Sequence, residues 1–175
     1  MLERIGNCKI IEEVGAGGMA VVYKGVQEPL GRVVAIKALK STRLSSAEDR
    51  ARFHREAQAI SRIDHPNVVM LFEVVEAEEG VFLVLQYVRG RTLRELMQAG
   101  PISVEEALSI ASDVASGLGA AHALGLVHRD VKPENVMVTP EGRAKTRERA
   151  PGTAAAAYPI PRRRRAYPRS TATAR

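Results

Sequence analysis

Between His128 and Asn135 the chain reads His-Arg-Asp-Val-Lys-Pro-Glu-Asn, a loop that gathers a carboxylate, an ammonium and a carboxamide within six positions. An acid can orient a hydroxyl and take its proton. A cation can neutralise charge on a transferring phosphoryl group, and an amide oxygen can ligate a metal that bridges phosphates. These are the demands of moving a phosphoryl group onto an alcohol. Five specified residue types, His128, Arg129, Asp130, Lys132 and Asn135, fall inside eight positions, which chance does not readily supply.

Two earlier constellations bear on the same chemistry. Gly15-Ala16-Gly17-Gly18-Met19-Ala20-Val21-Val22 is rich in glycine, which lets a backbone bend tightly and bring its amides up to phosphate oxygens. Glycine-rich hairpins are common, so this run alone identifies nothing. Val34-Ala35-Ile36-Lys37 ends an apolar strand on a lysine. A strand lysine by itself is usually a solubilising charge, but Lys37 follows Gly15 by 22 residues, and the next helix offers Glu56 as a partner.

The elements that must hold these residues follow from periodicity. Lys9–Val14, Ala20–Val26 and Arg32–Leu39 are short β-branched runs broken by glycine, which predicts three antiparallel strands. From Ala47 to Ile63 the period changes, with Phe53, Ala57, Ile60 and Ile63 on one helical face. His65-Pro66-Asn67 stops that helix, and the apolar runs Val68–Val75 and Val81–Val88, separated by an acidic turn, predict two more strands. A short helix is expected around Leu93–Gln98. Ser103 and Glu106 form a capping box that opens a longer helix, to about Leu124, with an apolar stripe of Leu108, Ala111, Val114, Ala115, Leu118 and Ala121. The catalytic-type loop comes next, then a short strand Val136–Val138 and a turn at Pro140–Gly142.

Taken together, these motifs resemble the protein kinase family in its bacterial serine/threonine form, over about residues 5–145. The resemblance implies an α+β fold: a small five-stranded antiparallel sheet lobe with one helix (1–88), then the first part of a helical lobe (89–145) carrying the catalytic loop. It implies ATP and Mg²⁺ as cofactors, and transfer of the ATP γ-phosphate to Ser/Thr of a protein substrate. Carried over by position, Asp130 is the catalytic base, Lys132 the γ-phosphate cation and Asn135 a Mg²⁺ ligand, while His128 packs structurally. Gly15, Ala16, Gly17 and Gly18 cover the phosphates, with Ala20 where the family usually has a third glycine. Lys37 contacts the α- and β-phosphates and pairs with Glu56. Gln86 to Val88 form the hinge that holds adenine, Leu85 guards the pocket behind it, and Val22, Ala35 and Met137 sandwich the base. Lysine at position 132 is the family's serine/threonine form.

The chain departs from the family after residue 145. It has no Asp-Phe-Gly, no Ala-Pro-Glu and no aspartate beyond Asp130. Glu148-Arg149-Ala150 falls where Asp-Phe-Gly would, and a glutamate can ligate Mg²⁺. Thr146 and Arg147, however, occupy positions expected to be apolar in a buried strand, and Arg149 replaces a core phenylalanine. Eight Ala, eight Arg, four Pro and four Thr fill 24 of the last 30 residues, so residues 146–175 are expected to be a disordered tail. Such composition matches out-of-frame translation of GC-rich DNA, which predicts a truncated or frameshifted domain. Sequencing the coding DNA past codon 145 tests that. The long helix would then show water a face built for other helices, and little turnover is expected.

Charge and composition narrow the alternatives. The formal net charge is +6, yet residues 1–145 carry 18 Lys+Arg against 19 Asp+Glu, and the basic excess lies in the tail. Arg162–Arg165 in that tail are a candidate contact for nucleic acid or an anionic surface, although an unstructured arginine run is usually solvated charge, and no specific nucleic acid is expected as a partner. Cys8 is the only cysteine, which excludes an internal disulfide and fits a cytoplasmic location. No stretch reaches the apolar length of a membrane helix. The competing reading from another class is an inactive pseudokinase that binds nucleotide or a protein partner.

Overall fold

The computed structural model describes residues 3–17, 20–39 and 46–147. Gly18 and Met19, the segment 148–150 that contains Glu148, and the rest of the Arg/Ala/Pro-rich tail with Arg162–Arg165 lie outside the described residues.

Six antiparallel strands form the first sheet: β1 (Arg4–Ile5), β2 (Cys8–Gly17), β3 (Ala20–Gln27), β4 (Arg32–Leu39), β5 (Leu71–Ala77) and β6 (Gly80–Gln86). Their spatial order is β1-β2-β3-β4-β6-β5, with helix α1 (Ala47–Ile60) crossing between β4 and β5. The five-strand expectation is therefore short by one. Arg4 and Ile5 pair with Lys9 and Cys8 in a tight hairpin, and a two-residue strand is too brief to show a period in the sequence. The other boundaries shift by a few residues. The helix stops at Ile60 rather than Ile63, and β5 begins at Leu71 rather than Val68 because Val68 and Val69 bond elsewhere.

Each face of the sheet has its own core. On one, Phe53, Ala57 and Ile60 of α1 pack on Leu71 and Leu83. On the other, Ile5, Cys8, Val34, Ile36, Phe82 and Val84 form a cluster edged by Ile10, Tyr23 and Phe72. Ser46 caps α1 by accepting the Asp49 amide N–H at 3.0 Å, which satisfies one free donor of the first turn.

The second part contains β7 (Arg91–Thr92), α2 (Leu93–Ala99), α3 (Val104–Ala123), a 3₁₀ turn (Pro133–Asn135), β8 (Val136–Val138) and β9 (Ala144–Thr146). Strands β7, β8 and β9 form a small antiparallel sheet that the sequence reading did not foresee beyond Val136–Val138. Thr92 and Ser103 each close a complete capping box with a glutamate three residues on, Glu95 and Glu106. The fully buried residues of α3 are Ile110, Asp113, Gly117 and Ala121, so of the expected stripe Ala121 is buried, Val114 and Leu118 are half-buried, and the rest faces outward. Leu108 is 67% exposed, Val104 77%, and Ala111 and Ala115 are exposed as well. A small-residue stripe and an aspartate look interchangeable with surface until the neighbour that covers them is known.

That neighbour is a seam of hydrogen bonds. Asn67, in the loop after α1, donates from Nδ2 to the Ala144 carbonyl at 2.8 Å. Its own carbonyl accepts the Thr146 N–H at 2.8 Å and the Thr146 hydroxyl at 3.1 Å. Thr146 returns a bond, its carbonyl accepting Val69 N–H at 2.8 Å. Thr146 was expected to be misplaced in a buried strand. It is 1% exposed and fully bonded, since a threonine with a carbonyl in reach satisfies a buried site as well as an apolar residue does. From α3, Asp113 accepts the Arg143 guanidinium at 2.9 and 3.0 Å and the Ala144 N–H at 2.9 Å.

Two outcomes follow. A Cβ on Gly117 would meet the Asn67 carbonyl oxygen at 2.7 Å, whereas one on Gly119 meets nothing within 4 Å. Gly117→Ala should destabilise by about 1–3 kcal/mol, while Gly119→Ala should be neutral or stabilise by up to about 1 kcal/mol through helix propensity, both read from denaturant melts. Burial alone would raise the Asp113 pKa, but the Ala144 amide and the Arg143 guanidinium outweigh it and hold the carboxyl below its ordinary value. A depressed folded pKa gives stability that is present above the unfolded pKa and is lost as pH falls through the folded one. Asp113→Asn should therefore cost about 1–3 kcal/mol near neutrality, and the gap to the unsubstituted chain should close as pH is lowered through the acid range.

Candidate active site

Strand register sets the upper half of the site. Val22 on β3 lies opposite Lys37 on β4, and Lys37 lies opposite Leu83 on β6, so one strand carries the lysine between two apolar walls. Ala35 is opposite Leu85, and Val34 opposite Gln86. Gly15, Ala16 and Gly17 continue the β2–β3 hairpin as partners of Val22, Val21 and Ala20. Glu56 is half-buried on α1 next to Ala57, whose side faces the sheet, and Lys37 is half-buried too.

After β6 the chain passes through Tyr87 and Val88 to the second part. Gln86 N–H bonds the Met70 carbonyl at 2.8 Å, which ties the end of β6 to the start of β5. Met137 on β8 pairs with Thr92 on one side and Lys145 on the other. Lys145 reaches back to the Gln86 Oε1 atom at 3.4 Å, so the β8–β9 hairpin and the end of β6 touch through side chains. Burial pushes the Lys145 ammonium below its ordinary pKa.

The loop at 128–135 is held by its own polar groups. Arg129 has φ 60°, a left-handed conformation uncommon outside glycine, which turns the backbone between His128 and Asp130. His128 is 2% exposed; its Nδ1 accepts the Asp130 N–H at 3.3 Å and its Nε2 bonds the Arg147 carbonyl at 2.7 Å. The imidazole is thus a brace between the loop and the segment after β9. Asn135 donates from Nδ2 to both the Asp130 carbonyl, at 2.8 Å, and the Asp130 Oδ2, at 3.0 Å, leaving its Oδ1 as the group that can turn outward. Lys132 Nζ stands 3.0 Å from the same Oδ2. The Lys132 hydrogen bond first, and the Asn135 amide after it, hold the Asp130 carboxyl below the usual carboxylate range.

Asp130, Lys132 and Asn135 are therefore gathered around one carboxylate oxygen. The sequence reading missed Arg147. Its N–H bonds the Asn135 carbonyl at 2.8 Å, and its guanidinium donates to the Glu134 carbonyl. Alternation along β9 puts Ala144 and Thr146 inward and Lys145 on the other face opposite Met137, and Arg147 follows directly after the strand.

The lysine strand belongs to the first sheet and the braced acid–lysine–asparagine loop to the second part, and Lys145 joins the two parts at Gln86. The protein kinase domain profile matches residues 8–147. The chain belongs to the protein kinase family. It is 42% identical over 139 residues to the probable serine/threonine-protein kinase PknB of Lactococcus lactis, covering 78% of this chain and 22% of that protein. To the serine/threonine-protein kinase PrkC of Bacillus subtilis it is 40% identical over 141 residues, covering 80% of this chain and 22% of that protein. The crystal structure of the Mycobacterium tuberculosis PknI kinase domain superposes with a TM-score of 0.74 at 28% identity, covering 87% of this chain and 62% of that one. The chain thus spans about a fifth of the curated relatives and less than two thirds of a solved kinase domain.

The electrostatics of the loop can be read directly. Asp130 should titrate below the ordinary carboxylate pKa of about 3.9, and Lys132→Met should move its midpoint up toward that value. Carboxyl-carbon NMR across the acid range measures both; an unchanged midpoint in the variant would mean the lysine does not set it.

Proposed function

We propose that this chain carries the nucleotide-binding and catalytic-loop part of an ATP-dependent protein serine/threonine kinase. The observation that carries the reading is the convergence of Lys132 and Asn135 on one oxygen of Asp130, in a loop braced by His128. ATP lies between Val22 and Ala35 above and Met137 below, against the backbone of Gln86 to Val88, with Leu85 behind it. Gly15 to Gly18 cover the phosphates and Lys37, positioned by Glu56, contacts them. Asp130, ionised at neutral pH, takes the proton of a protein Ser/Thr hydroxyl. The oxygen of that hydroxyl bonds to the γ-phosphorus, the bond from phosphorus to the β–γ bridging oxygen breaks, and ADP leaves with its pair of electrons. Lys132 offsets negative charge on the moving group.

Protein kinases generally use Mg²⁺ with ATP. Here Asn135 Oδ1 is a neutral donor, and the described residues contain no group of three or more His, Cys, Asp or Glu positioned for a metal. Mg²⁺ is ordinarily held through one or two carboxylates together with the phosphates. Asp130 is committed to Lys132 and Asn135, so the described residues do not by themselves fit the ion, and no step is routed through it. The same observation favours a second reading, a pseudokinase that binds nucleotide without turning it over. As for location, no helix among the described residues is long and apolar enough to cross a membrane.

The two readings separate on one experiment. If the chain is an enzyme, phosphate transfer from ATP to a generic basic protein is measurable, and Asp130→Asn lowers it by about 10²–10⁴ while ATP affinity stays within about twofold. Transfer that is absent, or equal in the two proteins, with ATP still bound, assigns the chain to the pseudokinase reading.

A further inference from the structure

A groove of about 510 Å³ opens between α2, the start of α3 and the turn that joins β8 to β9, and no residue assigned to ATP lines it. Leu96, Ile102 and Val138 give it an apolar floor, continuous with the core that Ile110, Val136 and Ala144 form. Its rim is acidic. Glu105 and Glu106 stand on the first turn of α3, and Glu141 on the hairpin turn.

The ion pairs among the described residues leave all three glutamates out, and the lining cation Arg143 is spent on Asp113 through two hydrogen bonds. An apolar floor beneath three carboxylates suits an extended segment with an apolar side chain followed by cations, because burial supplies attraction and the charges set direction. Tyr158-Pro159-Ile160-Pro161, followed directly by Arg162–Arg165, has that composition. Pro159 and Pro161 fix φ on either side of Ile160, which lowers the entropy lost when such a segment is ordered. The segment is also within reach. From Arg147, the last described residue, Arg143 at the groove lies about 13 Å back along the extended strand. Ile160 follows Arg147 by 13 positions, which an extended chain spans over up to roughly 45 Å.

We propose that residues 158–165 of this chain dock in its own groove between α2, α3 and the β8–β9 turn, with Ile160 on the apolar floor and the arginines against Glu105, Glu106 and Glu141. A tether of this length holds the segment at roughly millimolar concentration beside the groove, so a contact too weak to form between separate molecules is populated within one. Pairs of exposed charges are screened by ions, so salt loosens the contact. The inference goes beyond the nucleotide-binding reading and stands or falls apart from it.

NMR on the full chain tests it, with a nitroxide attached at Ala166→Cys; Cys8 is buried and does not compete for the label. The expected result is paramagnetic broadening of the amides of Gly100, Ser109 and Gly142, which line the groove. That broadening should fall about threefold or more in Arg162→Gln, Arg163→Gln, Arg164→Gln and Arg165→Gln together, in Glu105→Gln with Glu141→Gln, and in about 0.5 M salt. Glu106 is left intact because it caps α3, and unchanged spectra elsewhere check that the variants fold. Mixing isotope-labelled chain with separate nitroxide-bearing chain reads contact between copies, and no broadening is expected there. The inference is overturned if the groove amides broaden no more than those of the first sheet, or if the fourfold arginine variant leaves their broadening unchanged. It is overturned equally if the broadening arises between copies, in which case the tail of a second molecule is the occupant.

Discussion

Asn67 holds the two parts of the molecule together. Its side chain and backbone carbonyl are both spent on β9, and Val69 adds a third link to the same strand. Gly117 of α3 comes so close to the Asn67 carbonyl that no side chain fits between them. Buried backbone groups without partners are costly, so these bonds fix the register of the loop after α1 against β9 within narrow limits. The apolar contacts among Ile63, Val68 and Ala121 then fill the same junction, adding burial that is not directional to bonds that are.

The loop at 128–135 depends on that seam at one remove. β9 is anchored at Thr146 to Asn67, and the next residue, Arg147, carries the carbonyl that His128 bonds and the N–H that Asn135 receives. Asp113 secures the other end of β9 by gripping Arg143 and the Ala144 amide. With β9 fixed at both ends, His128 is held against Arg147, and the left-handed turn at Arg129 leads from it to a half-exposed Asp130. The Asp130–Lys132 contact is half-exposed and would contribute little to stability by itself. Its consequence is electrostatic, a carboxylate kept ionised and aimed.

Much of this was legible in the sequence. The strand pattern of β2–β4, the capped helices and the loop at 128–135 all announced themselves through period, capping boxes and residue type, because those signals are local. The family assignment was legible for the same reason: five chemically specified residues in eight positions survive without knowledge of any contact. What the sequence misjudged was consistently long-range. Thr146 read as an error and is a bonded interior residue. Asp113, which drew no notice among the residues of α3, is the one that grips β9. β1 is too short to carry a period at all.

The amino-acid sequence by itself determined the family of this chain, since each motif that carries the resemblance is a run of neighbouring residues defined by spacing along the backbone. Only the tertiary structure decided which face of α3 is buried and that Thr146 is bonded inside the junction. Both depend on which backbone carbonyls sit opposite a given side chain, and those carbonyls come from residues up to 79 positions away. Hydrogen-bond partners at that separation leave no period in the sequence, because burial and bonding there are properties of the junction and not of either segment that forms it.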